Sequence, residues 1–217
     1  MAQKIPLALR LKRESHRKIA AAQDLIVREI YAVFDTAVFH GGTAIWRCYS
    51  GKRFSEDLDF YIPKETAKIN ALFDRLEKKG FKVIKRKISE NSVYSEFELD
   101  RVTVRFEATF QKIKGHLLDY ENVDGTYNGV YSLTHEEFIT EKVNAYLTRR
   151  KIRDLYDIYF LTSTVNDYSM AAGAVRKLIA NYQPPLDEQD LKAILLEGII
   201  PKSKEIIEYL KRKWQNT

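Results

Sequence analysis

Apolar residues recur three and four positions apart across residues 14–32 (ESHRKIAAAQDLIVREIYA), which predicts an amphipathic helix starting near Glu14 or Ser15. An extended run, TAVFH, leads into Gly41-Gly42, and TAIWRCYS then reads as a short helix closed by Gly51. In SEDLDFYI the period changes to two. Leu58, Phe60 and Ile62 take one face and Asp57, Asp59 and Tyr61 the other, the pattern of a half-buried strand. Residues 65–79 are again amphipathic and stop at Gly80, a common helix terminator. FKVIKRKI, VYSEFELD and RVTVRFEATF are β-like, and ENVDGTYNG is a polar, glycine-containing stretch. From there the pattern is helical, with helices expected over 135–163, 169–182, 187–197 and 202–214, separated by turn signals at Gln183-Pro184-Pro185 and Pro201. The order implies an α+β (α/β) chain, with an α/β domain over 1–130 and a helical domain over 131–217.

Composition narrows the function. With 45% hydrophobic and 30% charged residues in 217, the chain is typical of globular proteins. No run approaches the roughly 18 apolar residues that span a bilayer, and MAQKIPLALRLKRES lacks the uninterrupted apolar core of a signal peptide. No membrane association and a cytoplasmic location are the expectation. One cysteine, Cys48, rules out an intrachain disulfide or a cysteine-based zinc cluster, and its apolar setting reads as an inert thiol. His16, His40, His116 and His135 have no metal-ligand spacing. A net charge of +6 favours polyanions such as RNA, DNA or nucleoside triphosphates, although mild basicity alone decides little.

The chemistry concentrates in residues 41–59. Asp57 and Asp59, two apart on one strand, share a face. Two carboxylates this close repel unless a cation lies between them, and oxygen ligands of this kind suit Mg2+ or Mn2+. Upstream, Gly41 and Gly42 allow close backbone approach to a ligand, and the N-terminus of the following helix favours phosphate. Thr43 is expected either to cap that helix or to bind a phosphate oxygen. Each element alone is an ordinary turn or an ordinary carboxylate pair; their order is more specific.

HGGTAIWRCYSGKRFSEDLDFYI resembles the first motif of the AbiEii/AbiGii family of nucleotidyltransferase toxins, and EKVNAYLTRRKIRDLYDIYFL resembles its second. The two lie in the family's order, roughly 85 residues apart, and the likeness spans about residues 37–165. It implies a polymerase-β-like nucleotidyltransferase core with a mixed sheet, followed by a C-terminal helical bundle. It also implies a metal-dependent enzyme that uses an NTP and releases pyrophosphate. Asp57 and Asp59 would hold Mg2+ or Mn2+, while Gly41, Gly42 and Thr43 seat phosphates and Arg53 offsets charge. Such sites add a third carboxylate on a neighbouring strand, for which Glu107 is chosen, with Glu98 and Asp100 as alternatives. The resemblance makes Lys142 the triphosphate contact and Asp154 a carboxylate of the second motif, or else the partner that orients an arginine. Asp157 is equally compatible with a structural role.

Helical geometry supports part of this independently. On one continuous helix over 134–164, Lys142, Arg149 and Arg153 fall within about 40° of one another and form a basic stripe for phosphate. Val143, Leu147, Leu155 and Ile158 turn toward the core. Ser55 shares the face of Asp57 if the strand reaches it, which would allow phosphate binding there. Phosphorylation of Ser55 would add a charge of about −1.5 to −2 beside the carboxylates and block the site.

The expected acceptor is RNA, a tRNA 3′ end first, in a toxin–antitoxin setting with a cognate antitoxin as partner. A small-molecule or protein acceptor is the alternative within the fold. A catalytically silent nucleotide- or RNA-binding module is the alternative outside enzymology, disfavoured because it has no need of paired metal carboxylates.

Overall fold

The structure is a computed structural model that describes residues 5–164 and 169–214. Two units divide the chain, one of Met1–Ser50 and Ser55–Leu133, the other of Gly51–Phe54 and Thr134–Thr217.

In the first unit, a short helix α1 (Leu7–Arg10) precedes α2 (Glu14–Tyr31), then come β1 (Val38–His40), α3 (Gly41–Cys48), β2 (Leu58–Ile62) and α4 (Thr66–Lys78). Strands β3 (Lys82–Ile88), β4 (Ser92–Leu99), β5 (Val102–Phe110), β6 (His116–Glu121) and β7 (Tyr127–Ser132) complete it. They form a seven-stranded mixed sheet in the order β3-β4-β5-β2-β1-β7-β6. β2 runs parallel to β5 and β1 parallel to β7, while the remaining neighbours are antiparallel.

One sheet face is apolar, as the alternation in β2 predicts: Leu58, Phe60 and Ile62 are buried, and Val104, Phe106 and Ala108 continue the face on β5. Phe39 stacks on Phe60 at 4.7 Å between ring centroids, and Phe97 lies 6.2 Å from Phe106. Ile26 and Ile30 of α2 and Leu72, Phe73 and Leu76 of α4 are buried in the same core, each contributing roughly 1.5–3 kcal/mol by leaving water. The opposite face stays polar and carries the site described below.

β6 and β7 were not expected from the sequence. They form an antiparallel hairpin across residues read as a polar stretch, with Gly125 at φ +89° in the turn. α3 also ends earlier than Gly51, at Cys48, with Ser50 in the left-handed region at φ +57°.

The second unit holds α5 (His135–Arg149), α6 (Ile152–Thr164), α7 (Ala172–Ala180), a 3-10 turn at Glu188–Asp190, α8 (Leu191–Ile194) and α9 (Ser203–Trp214). A capping box starts α5: Thr134 Oγ1 accepts from the Glu137 N–H, and Glu137 Oε2 accepts from the Thr134 N–H at 2.7 Å. The continuous helix expected over 135–163 is corrected to two helices. Arg150 takes a left-handed conformation (φ 52°, ψ 41°) without being glycine. Its guanidinium donates to Pro184 O at 2.6 and 2.9 Å and to Gln183 Oε1 at 2.9 Å. The Leu186 N–H donates back to Arg150 O, and Asp187 Oδ1 accepts from the first N–H of α6, that of Ile152. These bonds come from a segment more than 30 residues downstream and outweigh the roughly 1–2 kcal/mol that a left-handed non-glycine residue costs.

The helices expected over 187–197 and 169–182 are shorter, at Leu191–Ile194 and Ala172–Ala180. Gly51–Phe54 belongs to this second unit: the Phe54 N–H donates to Ile194 O at 2.7 Å and the Leu196 N–H to Lys52 O at 2.8 Å. Among the described residues no helix is long and apolar enough to cross a membrane.

Candidate active site

The glycine turn and the carboxylates are one structure. β1 and β2 pair so that His40 lies opposite Asp59, which sets the start of α3 against that aspartate. Gly41 has φ +76°, and a Cβ built there would lie 2.1 Å from Asp59 Oδ2, 2.8 Å from its Cγ and 3.0 Å from its Cβ. Glycine is therefore needed twice, for the dihedral and for the space. α3 begins at Gly41 itself, and the first N–H groups of a helix have no acceptor within it.

Thr43 is the third residue of α3, not its cap, which corrects that expectation. Its side chain is fully buried and the hydroxyl donates to the carbonyl of Asp57. The hydroxyl fixes the approach to the carboxylates and is spent there rather than on phosphate. Gln23 of α2 works beside it and gave no signal in the sequence beyond lying on a helix. Buried at 0% exposure, its Nε2 donates to Ser55 O and Glu56 O, each at 3.0 Å. β2 begins at Leu58, so Ser55 and Asp57 both precede the strand, which corrects the reading of Asp57 and Asp59 as two positions on it.

α3 is anchored at its far end by Arg47. This buried guanidinium pairs with Asp24, donates from Nε to Glu121 O at 2.6 Å and lies 4.6 Å over the Tyr120 ring. Asp24 also accepts from the Val123 N–H and the Tyr120 hydroxyl. Burial raises the Asp24 pKa against the opposing charge of Arg47.

Across the polar sheet face the register builds a row. Asp59 faces His40 on one side and Glu107 on the other, and Glu107 faces Tyr94 of β4. His40 and Tyr61 stack nearly parallel at 3.8 Å along the same face. Glu107 is thus the acid on the strand next to Asp59, whereas Glu98 sits on β4, beyond β5, and Asp100 in the β4–β5 turn at φ +49°. Arg105, two residues before Glu107, was missed in the sequence. Its Nη2 donates to Asp57 Oδ2, and its Nε lies 3.3 Å from Glu107 Oε1. Burial lowers the Arg105 pKa, but the charge and hydrogen bond of Asp57, with Glu107 behind, raise it on balance. Among the described residues the acids are not drawn into a ready-made ion cluster; a guanidinium intervenes. The donor chemistry nonetheless fits a hard divalent cation, with Asp57 just ahead of β2, Asp59 on it and Glu107 on the adjacent β5, beside a turn that only glycine can occupy.

The second unit contains the other predicted residues in a separate charge network. Arg53 donates from Nε and Nη2 to the two oxygens of Asp157, both at 2.6 Å. Lys142 Nζ lies 3.1 Å from Asp157 and 3.6 Å from Asp154, and Arg149 clamps Asp154 through two bonds of 2.7 Å. Arg53, Lys142, Asp154 and Asp157 are each at most 4% exposed. Burial alone would raise the Asp157 pKa, yet Arg53 and Lys142 hold it below the ordinary carboxylate range. Arg53 is thereby held in a buried clamp. The helix break at Arg150 removes the single straight stripe predicted for Lys142, Arg149 and Arg153. Asp154 pairs with Arg149, a contact compatible with the orienting role anticipated for it.

No curated protein matches the chain in sequence. Among solved structures, the nucleotidyltransferase toxin MenT4 of Mycobacterium tuberculosis superimposes with a TM-score of 0.67 at 16% identity, over 97% of this chain and 89% of its own. JHP933 of Helicobacter pylori gives 0.62 at 18% identity, over 94% and 95%. At these identities the likeness is one of fold. Sequence carries the rest: residues 24–216 match the family described as "Nucleotidyl transferase AbiEii toxin, Type IV TA system", and the chain is a member of that nucleotidyltransferase toxin family.

Proposed function

We propose that the protein transfers a nucleoside monophosphate from an NTP to an RNA hydroxyl, with a tRNA 3′ end as the preferred acceptor, and that a divalent cation on Asp57, Asp59 and Glu107 supports the transfer. The observation that carries this is the closure of Gly41 on Asp59 with Glu107 in register across the sheet. That juxtaposition supports reading the glycine turn as the phosphate seat and the three carboxylates as ion ligands. The acceptor oxygen bonds to the α-phosphorus as the bond from that phosphorus to the β-phosphate oxygen breaks; pyrophosphate leaves and the hydroxyl proton passes to solvent. When bound, Mg2+ or Mn2+ would lower the pKa of the attacking hydroxyl and neutralise the departing pyrophosphate.

The protein's own part is positioning and electrostatics. Gly41 and Gly42 let the backbone approach the phosphates, while Thr43 and Gln23 hold the segment bearing Asp57. In the second unit, the cations Arg53, Lys142 and Arg149 converge on the carboxylates of Asp154 and Asp157. On that chemistry Lys142, Arg149 and the half-buried Arg153 are the phosphate-binding candidates there. Membership of a type IV toxin–antitoxin family implies an antitoxin, and the RNA acceptor is supported by the +6 net charge.

The test is to incubate the protein with each α-labelled NTP, Mg2+ or Mn2+ and total RNA, alongside Asp57→Ala. Label in RNA that disappears in the variant supports the proposal. Label in protein or a small molecule moves the acceptor, and no label with any NTP or ion leaves a binding module.

A further inference from the structure

The side chain lying between the proposed ion ligands is itself a cation, and the neighbouring strand leaves it no other carboxylate. Arg105 pairs across β4–β5 with Glu96. Glu96, however, accepts from the Tyr94 hydroxyl and lies 3.9 Å from Lys85 Nζ. Arg105 turns instead toward β2, where it reaches Asp57 Oδ2 and approaches Glu107 Oε1. Its Nε is buried without an acceptor in hydrogen-bond geometry, so the guanidinium is placed between two acids rather than matched to either as a two-bond clamp. The side chain is 38% exposed, which leaves it room to swing outward.

Resting on the assignment of Asp57, Asp59 and Glu107 as ion ligands, we propose that Arg105 is a tethered cation that competes with the divalent ion for Asp57. Three carboxylates gathered at the start of β2 and on β5 repel one another. Arg105 reduces their summed charge from −3 to −2 and occupies the Asp57 oxygen that an ion would use. It stabilises the metal-free sheet face and weakens the ion's hold on it. Ion binding requires the guanidinium to release Asp57 and move outward, so Arg105 sets the ion concentration at which the site fills.

The experiment measures Mn2+ binding without nucleotide, by the loss of the free-ion paramagnetic resonance signal, for the wild type, Arg105→Gln, Arg105→Lys and Asp57→Ala. Releasing a charge-assisted bond to a carboxylate predicts that Arg105→Gln binds Mn2+ about tenfold more tightly than the wild type. Arg105→Lys, which keeps the charge and loses the planar fork, falls between them. Melting curves give a second readout: metal-free Arg105→Gln melts below the wild type and gains more than the wild type from saturating Mn2+. Should Arg105→Gln prove too unstable to purify, the position of Arg105→Lys between no change and tenfold decides the same point. Equal or weaker Mn2+ binding by the Arg105 variants, with binding abolished in Asp57→Ala, overturns the competition and makes Arg105 a support for the ligands. Mn2+ binding in Asp57→Ala equal to the wild type overturns the ligand assignment itself.

Discussion

Gly41→Ala is the substitution most directly priced by the structure. At φ +76° an alanine pays about 1–2 kcal/mol for the left-handed backbone. Its lower unfolded-state entropy returns about 0.4–1 kcal/mol. The steric part is larger than a rotamer change can absorb. Rotating Asp59 about χ1 removes the contacts at 2.1 and 2.8 Å but leaves its Cβ at 3.0 Å from the new methyl, so β1 and β2 must also shift. An off-rotamer carboxylate adds about 0.5–1.5 kcal/mol, and the strand shift adds to this, for a net loss of about 2 kcal/mol. Urea denaturation followed by circular dichroism measures the stability, and the labelled-NTP assay measures transfer. Transfer is expected to fall by at least about 100-fold, because displacements of this order at a reacting centre have that effect. Gly173→Ala is the control: no atom lies within 4 Å of the added Cβ, and helix α7 should gain about 0.5–1 kcal/mol. A Gly41→Ala protein with wild-type stability and full activity refutes the claim that this glycine is fixed by Asp59.

Asp157→Asn leaves Arg53 and Lys142 buried without their shared countercharge, and a loss of about 3–5 kcal/mol is expected in thermal or urea unfolding. Because the folded pKa of Asp157 is depressed, its contribution is full above the unfolded value of about 3.9 and disappears as pH falls through the lower folded value. Melting temperatures from about pH 5 down to about pH 2 should therefore fall more steeply in the wild type than in Asp157→Asn; parallel curves contradict this. Thr43→Val removes the hydroxyl bonded to the Asp57 carbonyl and should cost about 1 kcal/mol, with transfer lowered and Thr43→Ser near the wild type; equal activities for Val and Ser show that the hydroxyl is dispensable. Burial pushes the Cys48 thiol up to about 12, so iodoacetamide at pH 8 should label it much more slowly in the native protein than after denaturant is added. Rapid labelling of the native protein contradicts that environment.

What the sequence disclosed depended on how local the determinants were. The face of β2 was legible because period-two alternation needs only the strand itself, and Gly41 because few other residues suit a turn at that φ. The break at Arg150 was not, since no glycine or proline marks it. It is made by Gln183, Pro184, Leu186 and Asp187, which helical periodicity cannot see. β6 and β7 were missed because they lie at the sheet's margin, where Leu117, Tyr127 and Tyr131 face outward and blur the alternation. Asp124-Gly125 was the available hairpin signal. Arg105 is the instructive case: its place in the polar row of β5 could be read from spacing with Glu107, but its partner depends on the β2–β5 register, which only the folded sheet supplies.

The assignment of Gly51–Phe54 to the helical unit, although α3 and β2 flank it in sequence, determines what can be exchanged between relatives. The backbone passes between the units at residues 50/51, 54/55 and 133/134. A cut near residue 130 would separate Arg53 from Asp157 and strip the pairings that Lys52 and Phe54 make with Leu196 and Ile194. The helical unit is therefore discontinuous as an exchangeable module: a chimaera that takes it from another member must also take four residues from the middle of the α/β half. The loop joining the glycine turn to the carboxylates is inherited with the helices it lies on, which ties its length and sequence to theirs.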